Sequence, residues 1–235
     1  MITKKVLVTG ANKGIGFGIA KHLGMDGWEI VVGARNKERA EQAISKLKNE
    51  NIKVAGWVNI ELGDLDGLKK AADVISKEYP DLNMLINNAG IPGNMAEASF
   101  EASLNDIKET IDINFIGTFQ LTKLLIPVIQ KNHGRIVNIT VPSEASPYWH
   151  PLAYVASKAA QNAMTSIMAM DFADKNIPVE IYDVHPGPTT TDLNGNMTGE
   201  GFHTPDLIGE KVAELVADGK NHNGEFIELY PIVKE

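Results

Sequence analysis

The sequence predicts an α/β fold built as one doubly wound parallel sheet of about seven strands, with helices on both faces. Three observations predict it. Short uninterrupted apolar runs alternate with longer segments of helical periodicity along the chain, and strands buried on both faces read in that way. The first run, Val6-Leu7-Val8, leads directly into a glycine-rich turn, Thr9-Gly10-Ala11-Asn12-Lys13-Gly14-Ile15-Gly16. The polar residues that invite a chemical role follow the strands, and ligands of such sheets bind outside the carboxyl ends of their strands.

The elements follow in order. Residues 6–8 form a buried strand, and a helix opens near Gly16 and ends near Gly24. Residues 30–33 are a second apolar strand, and 37–49 a charged amphipathic helix. Residues 53–60 and 65–78 repeat the strand–helix unit; 84–86 form a fourth strand, closed by Asn87-Asn88-Ala89-Gly90. One long helical stretch covers 104–132, followed by a strand over 135–140 and a helix carrying Tyr154. A strand over 179–185, a helix over 207–217 and a strand over 225–229 complete the pattern. The irregular segment 188–205, rich in Thr, Gly and Asn, has the length of a substrate-binding loop.

At 235 residues the chain reads as a single domain, 1–235, and 43% hydrophobic residues suffice for a substantial core. A formal net charge of −8 argues against a nucleic-acid surface. Without cysteine there are no disulfides, thiolate nucleophiles or Cys-based metal sites, and the six histidines lack the spacing of a metal-binding helix, so no metal is expected. Neither a signal-length nor a membrane-length apolar run is present, so the expected location is the cytoplasm.

The glycine turn permits close backbone approach to a phosphate, and the helix it opens presents unpaired N–H groups to a pyrophosphate. Its spacing, Gly-x-x-x-Gly-x-Gly, differs from the commonest dinucleotide fingerprint. At the end of the second strand an acidic residue would bond the ribose 2′-OH of NAD. This chain has Gly33-Ala34-Arg35-Asn36 there, and Arg35, with Lys13 from the turn, is suited to clamp a 2′-phosphate. The expected cofactor is therefore NADP(H).

Tyr154 and Lys158 lie four apart, one turn above each other on a helix face. A cation beside a phenol favours the phenolate and lowers its pKa toward neutrality, where a general acid–base works best. From 159 to 170 the same helix carries no charge, as expected of a helix that is buried or packs against another chain.

These motifs, in order and each at its element, resemble the short-chain dehydrogenase/reductase family over nearly the whole chain: the 9–16 turn, Asn87-Asn88-Ala89-Gly90, Asn114, Tyr154 with Lys158, and Pro186-Gly187. The segments 12–16 and 34–35 look like NADP(H)-preferring carbonyl reductases. The resemblance implies a Rossmann-type fold and hydride transfer between nicotinamide and a small carbonyl or alcohol substrate. Tyr154 would donate the proton, while Lys158 would lower the Tyr pKa and bond the nicotinamide ribose. Asn114 would disturb its helix and hold a water linking Lys158 to solvent. Gly10, Asn12, Lys13, Gly14, Ile15 and Gly16 would cradle the pyrophosphate, and Arg35 and Asn36 the adenosine phosphate. Asn88, Ala89 and Gly90 would line the central ribose. Glu61 and Leu62 would line the adenine, with Glu61 standing where the family usually has Asp. Pro186, Gly187, Thr189 and Thr191 would meet the nicotinamide end. Family members assemble through the Asn114 and Tyr154 helices, so a homodimer or homotetramer is implied.

One departure stands out. The family's Ser at the end of strand five, which bonds the substrate oxygen, falls on Val141. Three alternatives remain open: Ser143 substitutes for it after a loop rearrangement, Thr140 does, or no hydroxyl does. A loop of mixed character, Ser146-Pro147-Tyr148-Trp149-His150-Pro151, walls the substrate pocket or is ordinary surface packing. A slow reductase and a catalytically weak NADP(H)-binding sensor or scaffold both agree with these residues.

Overall fold

The structure, a computed structural model, describes residues 4–146 and 149–230. Its strands are β1 (Lys5–Thr9), β2 (Glu29–Ala34), β3 (Val54–Asn59), β4 (Leu82–Asn87), β5 (Arg135–Ile139), β6 (Glu180–His185) and β7 (Phe226–Glu228). All pair in parallel in one sheet, in the order β3-β2-β1-β4-β5-β6-β7. The winding reverses between β1 and β4, and the crevice that opens there is the ligand position of such sheets.

The helices are α1 (Gly14–Met25), α2 (Lys37–Asn49), α3 (Leu65–Glu78), α4 (Leu104–Ile111), α5 (Thr118–Lys131), α6 (Leu152–Asp174) and α7 (Pro205–Ala217). The pleat of β1 sorts its side chains into two cores, since successive strand residues point to opposite faces. Val6 and Val8 pack with Ile19 and Leu23 of α1, Leu47 of α2 and Ile208 of α7. Leu7 packs with Leu68 of α3, Leu125 of α5 and Phe172 of α6. Two apolar cores covering both faces of the central strands account for their unbroken apolar runs, while the edge strands β3 and β7 are only partly covered.

Element ends differ from the sequence expectation by a residue or two, as end residues fray. The larger difference lies between 104 and 132. The single expected helix is three pieces: α4, a π turn over Asp112–Gly117, and α5. The extra residue of a π turn is seldom stable alone and marks functional sites. Here it is held from outside: the Asn114 side chain bonds both main-chain groups of Ile91, and Gln161 of α6 donates to the Asn114 carbonyl at 2.8 Å. Gly117, at the end of the turn, lies directly on the Leu62 main chain, where a Cβ would overlap the carbonyl.

A polar row not anticipated from the sequence crosses the sheet beneath the crevice. Asn87, Asn138 and Asp183 are register neighbours on β4, β5 and β6, and all three are buried. Asn87 donates to Asn138 Oδ1 at 2.8 Å; Asn138 donates to Thr165 Oγ1 and Asp183 Oδ1 at 2.8 and 3.2 Å.

Helices α1 and α7 meet backbone to backbone. A Cβ on Gly18 would overlap the Pro205 carbonyl oxygen, and one on Gly209 would overlap Gly18 itself. Gly18→Ala is expected to destabilise the protein by about 1–3 kcal/mol through overpacking against main chain. A urea titration checks this: the midpoint falls at unchanged slope. A wild-type midpoint would mean that the helices separate freely.

Candidate active site

The crevice begins at the glycine turn. Gly14, at φ 57°, is the first residue of α1, and a Cβ there would meet only Thr191 Cγ2 at 3.8 Å. No side chain caps the N-terminus of α1, and no acidic residue sits in its first turn. Its N–H groups and the positive end of its dipole are therefore available to an anion, so the residues present fit a dinucleotide pyrophosphate. Asn88 secures the turn from the neighbouring strand: its Nδ2 donates to the Thr9 carbonyl at 2.9 Å, and the N–H groups of Asn88 and Ala89 bond Thr9 Oγ1 at 2.9 and 3.0 Å. Gly90 lies where a Cβ would touch Asn114 Oδ1 at 3.0 Å, so the 87–90 motif meets the π turn.

Both cations expected at the 2′-phosphate are on the surface and paired. Arg35 lies 3.7 Å from Glu61, and Lys13 lies 2.6 Å from Asp192. Asn36 caps α2 by accepting from the Arg39 N–H at 2.9 Å. Asn12, Lys13, Arg39, Lys46 and Asp192 border a groove of about 240 Å³. Arg39 and Lys46 add positive charge there that sequence reasoning missed; the signal was their spacing of about two helical turns, which puts both on one face of α2.

The segment 188–205 closes on itself and rests on the glycine turn. Thr190 N–H donates to the His203 carbonyl at 3.0 Å and His203 N–H to the Pro188 carbonyl at 2.9 Å. Thr189 is buried, its hydroxyl donating to the Gly187 carbonyl at 3.0 Å. Thr191 and Asp192 are the residues that reach Gly14 and Lys13. Leu62 is buried, and Pro186 and Gly187 leave the end of β6 with Gly187 at φ 75°. Ile15 packs at the edge of the α1 core.

Tyr154 and Lys158 stack on one face of α6, both buried, with Lys158 Nζ 5.8 Å from the Tyr154 ring centroid. The ammonium donates to the Ile139 carbonyl at the end of β5 (2.9 Å) and to Gln161 Oε1 (2.8 Å). Asn114 Nδ2 donates to Ser157 Oγ at 3.0 Å, and that hydroxyl donates to the Tyr154 carbonyl at 2.7 Å, so the π turn braces the helix beside the phenol. Burial works against the expected lowering of the Tyr154 pKa by Lys158. Burial pushes the phenol well above its ordinary value and the ammonium down to about 8, the latter opposed by the Asp183 carboxylate. The physical reason is that desolvation of each group outweighs an attraction acting over this distance. Asp183 itself is raised to about 6 by burial, opposed by bonds from Thr165 and Asn138.

Asn162 decides the fate of the hydroxyls near Val141. Its Oδ1 accepts from Thr140 Oγ1 at 2.7 Å, while its Nδ2 donates to the Val141 carbonyl at 2.9 Å and to Ser143 Oγ at 3.2 Å. Thr140, buried and still paired to β6 through its N–H, has its proton committed. Ser143 is exposed and accepts from Asn162, which leaves its own O–H to donate. Trp149 packs edge-on against the Tyr154 ring, 5.1 Å between centroids, so this part of the 146–151 loop does wall the phenol. His150 instead bonds the Ser146 carbonyl at 2.9 Å; Pro147 and Tyr148 lie outside the described residues.

An uncapped helix N-terminus at the switch point of the sheet, with a buried phenol and ammonium on the same carboxyl edge, fits the pattern of the dinucleotide-binding oxidoreductases. A family model described as short chain dehydrogenase matches residues 4–200. The chain is 32% identical over 198 residues to dehydrogenase/reductase SDR family member 4 of Caenorhabditis elegans, covering 81% of this chain and 73% of that one. It is 28% identical over 218 residues to a 3beta-hydroxysteroid dehydrogenase of Mediterraneibacter gnavus, covering 93% and 75%. Among solved structures, NADPH-bound carbonyl reductase from chicken fatty liver matches with a TM-score of 0.85 at 25% identity over 97% of each chain. This chain belongs to the short-chain dehydrogenase family, whose relatives named here are dehydrogenases and reductases.

The lowered Lys158 pKa has a signed consequence for stability. Below about 8 the ammonium is charged in both folded and unfolded chains, and its burial cost is fully present. Between about 8 and 10.5 the folded chain releases its proton first, so stability rises with pH from this group. Chemical unfolding of wild type and Lys158→Met across that window is expected to show the wild type gaining on the variant. A constant difference would contradict the lowered pKa.

Proposed function

We propose that this protein is an NADP(H)-dependent reductase of small carbonyl compounds, acting reversibly on the matching alcohols, with Tyr154 as the general acid–base. The observation that carries the reading is the stacking of Tyr154 over Lys158 on α6, with the ammonium tied to the end of β5, on the same carboxyl edge of the sheet as the open, uncapped α1 N-terminus. When bound, the nicotinamide supplies or accepts the hydride. The residues of this chain do the rest. The N–H groups of α1 and the glycine turn hold the pyrophosphate, Asn88, Ala89 and Gly90 the central ribose, and Glu61 and Leu62 the adenine end. Arg35 and Lys13 exchange Glu61 and Asp192 for the 2′-phosphate; exposed ion pairs of this kind are worth about 1 kcal/mol or less, so the exchange costs little. Pro186, Gly187, Thr189 and Thr191 orient the nicotinamide end.

In the reduction direction Tyr154 Oη delivers the proton to the substrate oxygen. Lys158 stabilises the phenolate that remains, and a cation is worth most in a site that excludes water. Asn114 holds the π turn against Ser157 and so keeps α6 in place. Ser143, with its O–H free to donate, is the substitute for the missing strand-end Ser, and Trp149 shapes the pocket over Tyr154. The NADPH carried by the chicken carbonyl reductase supports the choice of cofactor. Ile167 and Met170 of α6 are 61% and 69% exposed, which supports a homodimer or homotetramer formed through this helix. Among the described residues no helix is long and apolar enough to cross a membrane, in keeping with a cytoplasmic enzyme.

One observation favours a second reading, in which the protein binds NADP(H) as a sensor with little turnover: Val141 offers no hydroxyl and the Thr140 proton is spent on Asn162. Fluorescence titration with NADPH and NADH, followed by a screen of ketones and aldehydes by NADPH absorbance, separates the two. NADPH is expected to bind more tightly, and Arg35→Ala to weaken it about 10-fold or more while sparing NADH, because a charge-assisted bond is lost. Tighter NADH binding would refute the cofactor assignment.

Tyr154→Phe is expected to abolish turnover without loss of cofactor binding. Ser143→Ala should lower kcat about 10²-fold or more, the usual loss for one oxyanion donor, and Val141→Ser should raise it. Tight NADPH binding with no turnover on any carbonyl, in wild type and Val141→Ser alike, would favour the sensor.

A further inference from the structure

We propose that Gln161 is a positioning residue for Lys158: its side-chain amide braces the ammonium against the main chain of the π turn and fixes where the third ammonium proton points. The inference rests on Lys158 as a working group of the reaction proposed above, but its physical content can be tested without turnover.

Gln161 lies one turn beyond Lys158 on α6 and is 1% exposed. Its Nε2 donates to the Asn114 carbonyl and its Oε1 accepts from Lys158 Nζ, each at 2.8 Å. The orientation of the amide follows from its neighbours. A carbonyl can only accept and an ammonium can only donate, so the NH₂ must face Asn114 and the oxygen must face Lys158. Both ends of the amide are thereby satisfied inside the protein, as a buried polar group requires.

An ammonium has three protons. The Ile139 carbonyl of β5 takes one and Gln161 takes a second. Two fixed acceptors on different elements leave the ammonium one uncommitted proton and hold its orientation, with the Tyr154 ring centroid 5.8 Å from Nζ. The resemblance to the family implied a water between Asn114 and Lys158. Here the Asn114 carbonyl and Lys158 are joined by an amide, whose oxygen carries no proton to pass on. The contact holds geometry; it does not conduct protons.

The charge state of Lys158 depends on the same contact. The titratable groups around it are Tyr154 on its own helix and Asp183 on β6, with His185 further along β6 bonded to the Thr140 carbonyl. From β5 and the π turn it meets the Ile139 carbonyl and, through Gln161, the Asn114 carbonyl. Asp183 Oδ1 is held by Thr165 and Asn138, so the direct side-chain acceptor of the ammonium is Gln161. Replacing that oxygen with carbon must favour the neutral amine, and replacing the amide with a carboxylate must favour the ammonium.

The test is NMR of the full chain labelled with [13C]lysine, with the Lys158 signal assigned by its loss in Lys158→Met. The midpoint of that signal is followed from about pH 6 to about pH 11 in wild type, Gln161→Leu and Gln161→Glu. Gln161→Leu is expected to lower it by about 1–2 pH units, and Gln161→Glu to raise it by about one or more. Opposite shifts in two variants of similar volume exclude a general loosening of the fold as their cause. In Gln161→Leu the alkaline limb of kcat for carbonyl reduction should move with the midpoint.

A midpoint unmoved in both variants, or moved the same way in both, overturns the proposal, and lost activity with an unmoved midpoint would reduce Gln161 to packing. If Tyr154→Phe instead retains full turnover, the reading of function fails, while the Lys158 midpoints still decide the role of Gln161.

Discussion

A lysine ammonium taken out of water has to be given fixed oxygen atoms, or it loses its proton. Lys158 meets this requirement with the last carbonyl of β5 and the amide of Gln161, and much of the site follows. The bond to the β5 carbonyl ties α6 to the carboxyl edge of the sheet, where ligands of such folds bind. The Gln161 amide in turn needs an acceptor, which the π turn supplies at Asn114. That turn interrupts what would be one long helix, and its side chain reaches out to hold the 87–91 segment. Three elements distant in sequence are thus registered against one another by one buried cation. Under them, the row from Asn87 to Asp183 lets polar side chains lie inside the sheet with partners for most of their groups.

The proposed site for a polyanionic cofactor on an acidic protein raises a question of charge that local structure answers. A net charge of −8 gives no general attraction to phosphate. The attraction is short-ranged and built from parts that do not depend on net charge: the uncapped end of α1, the open space at Gly14, and basic side chains gathered along one groove. The carboxylates that pair with Arg35 and Lys13 keep that groove from being a bare cationic patch. Their partners are exposed, so the pairs are weak and exchange easily.

Much of this architecture was legible in the sequence, because its signals are local. Uninterrupted apolar runs mark the central strands β1 and β2, while β6 breaks its run at Asp183 and the edge strand β7 is largely exposed. The glycine turn sits between the first strand and first helix, and Tyr154 and Lys158 share a helix face by spacing alone. What escaped was set by distant partners. Nothing in the spacing of 104–132 specifies a π turn, although Gly117 was a hint that the helix pattern is disturbed there. The direction of the Thr140 hydroxyl is decided by Asn162, 22 residues on, and the pairing of Lys13 by Asp192, 179 residues on. Desolvation of Tyr154 and Lys158 could not be weighed before their burial was known. Gln161 did have a signal: an amide in an uncharged helical stretch, three residues after the lysine and hence on its face.

The glycine contact between α1 and α7 bears on how such a chain can change over time. Because the two backbones touch at Gly18, Pro205 and Gly209, the end of the 188–205 segment is welded to α1, the helix proposed to receive the phosphates. Its beginning is pinned by β6 and by the pairing of Thr190 with His203. Residues between those anchors can be lengthened, shortened or replaced at little entropic cost. A substrate pocket bordered by this segment, as proposed, can therefore change its lining while the glycine turn and α1 stay unaltered.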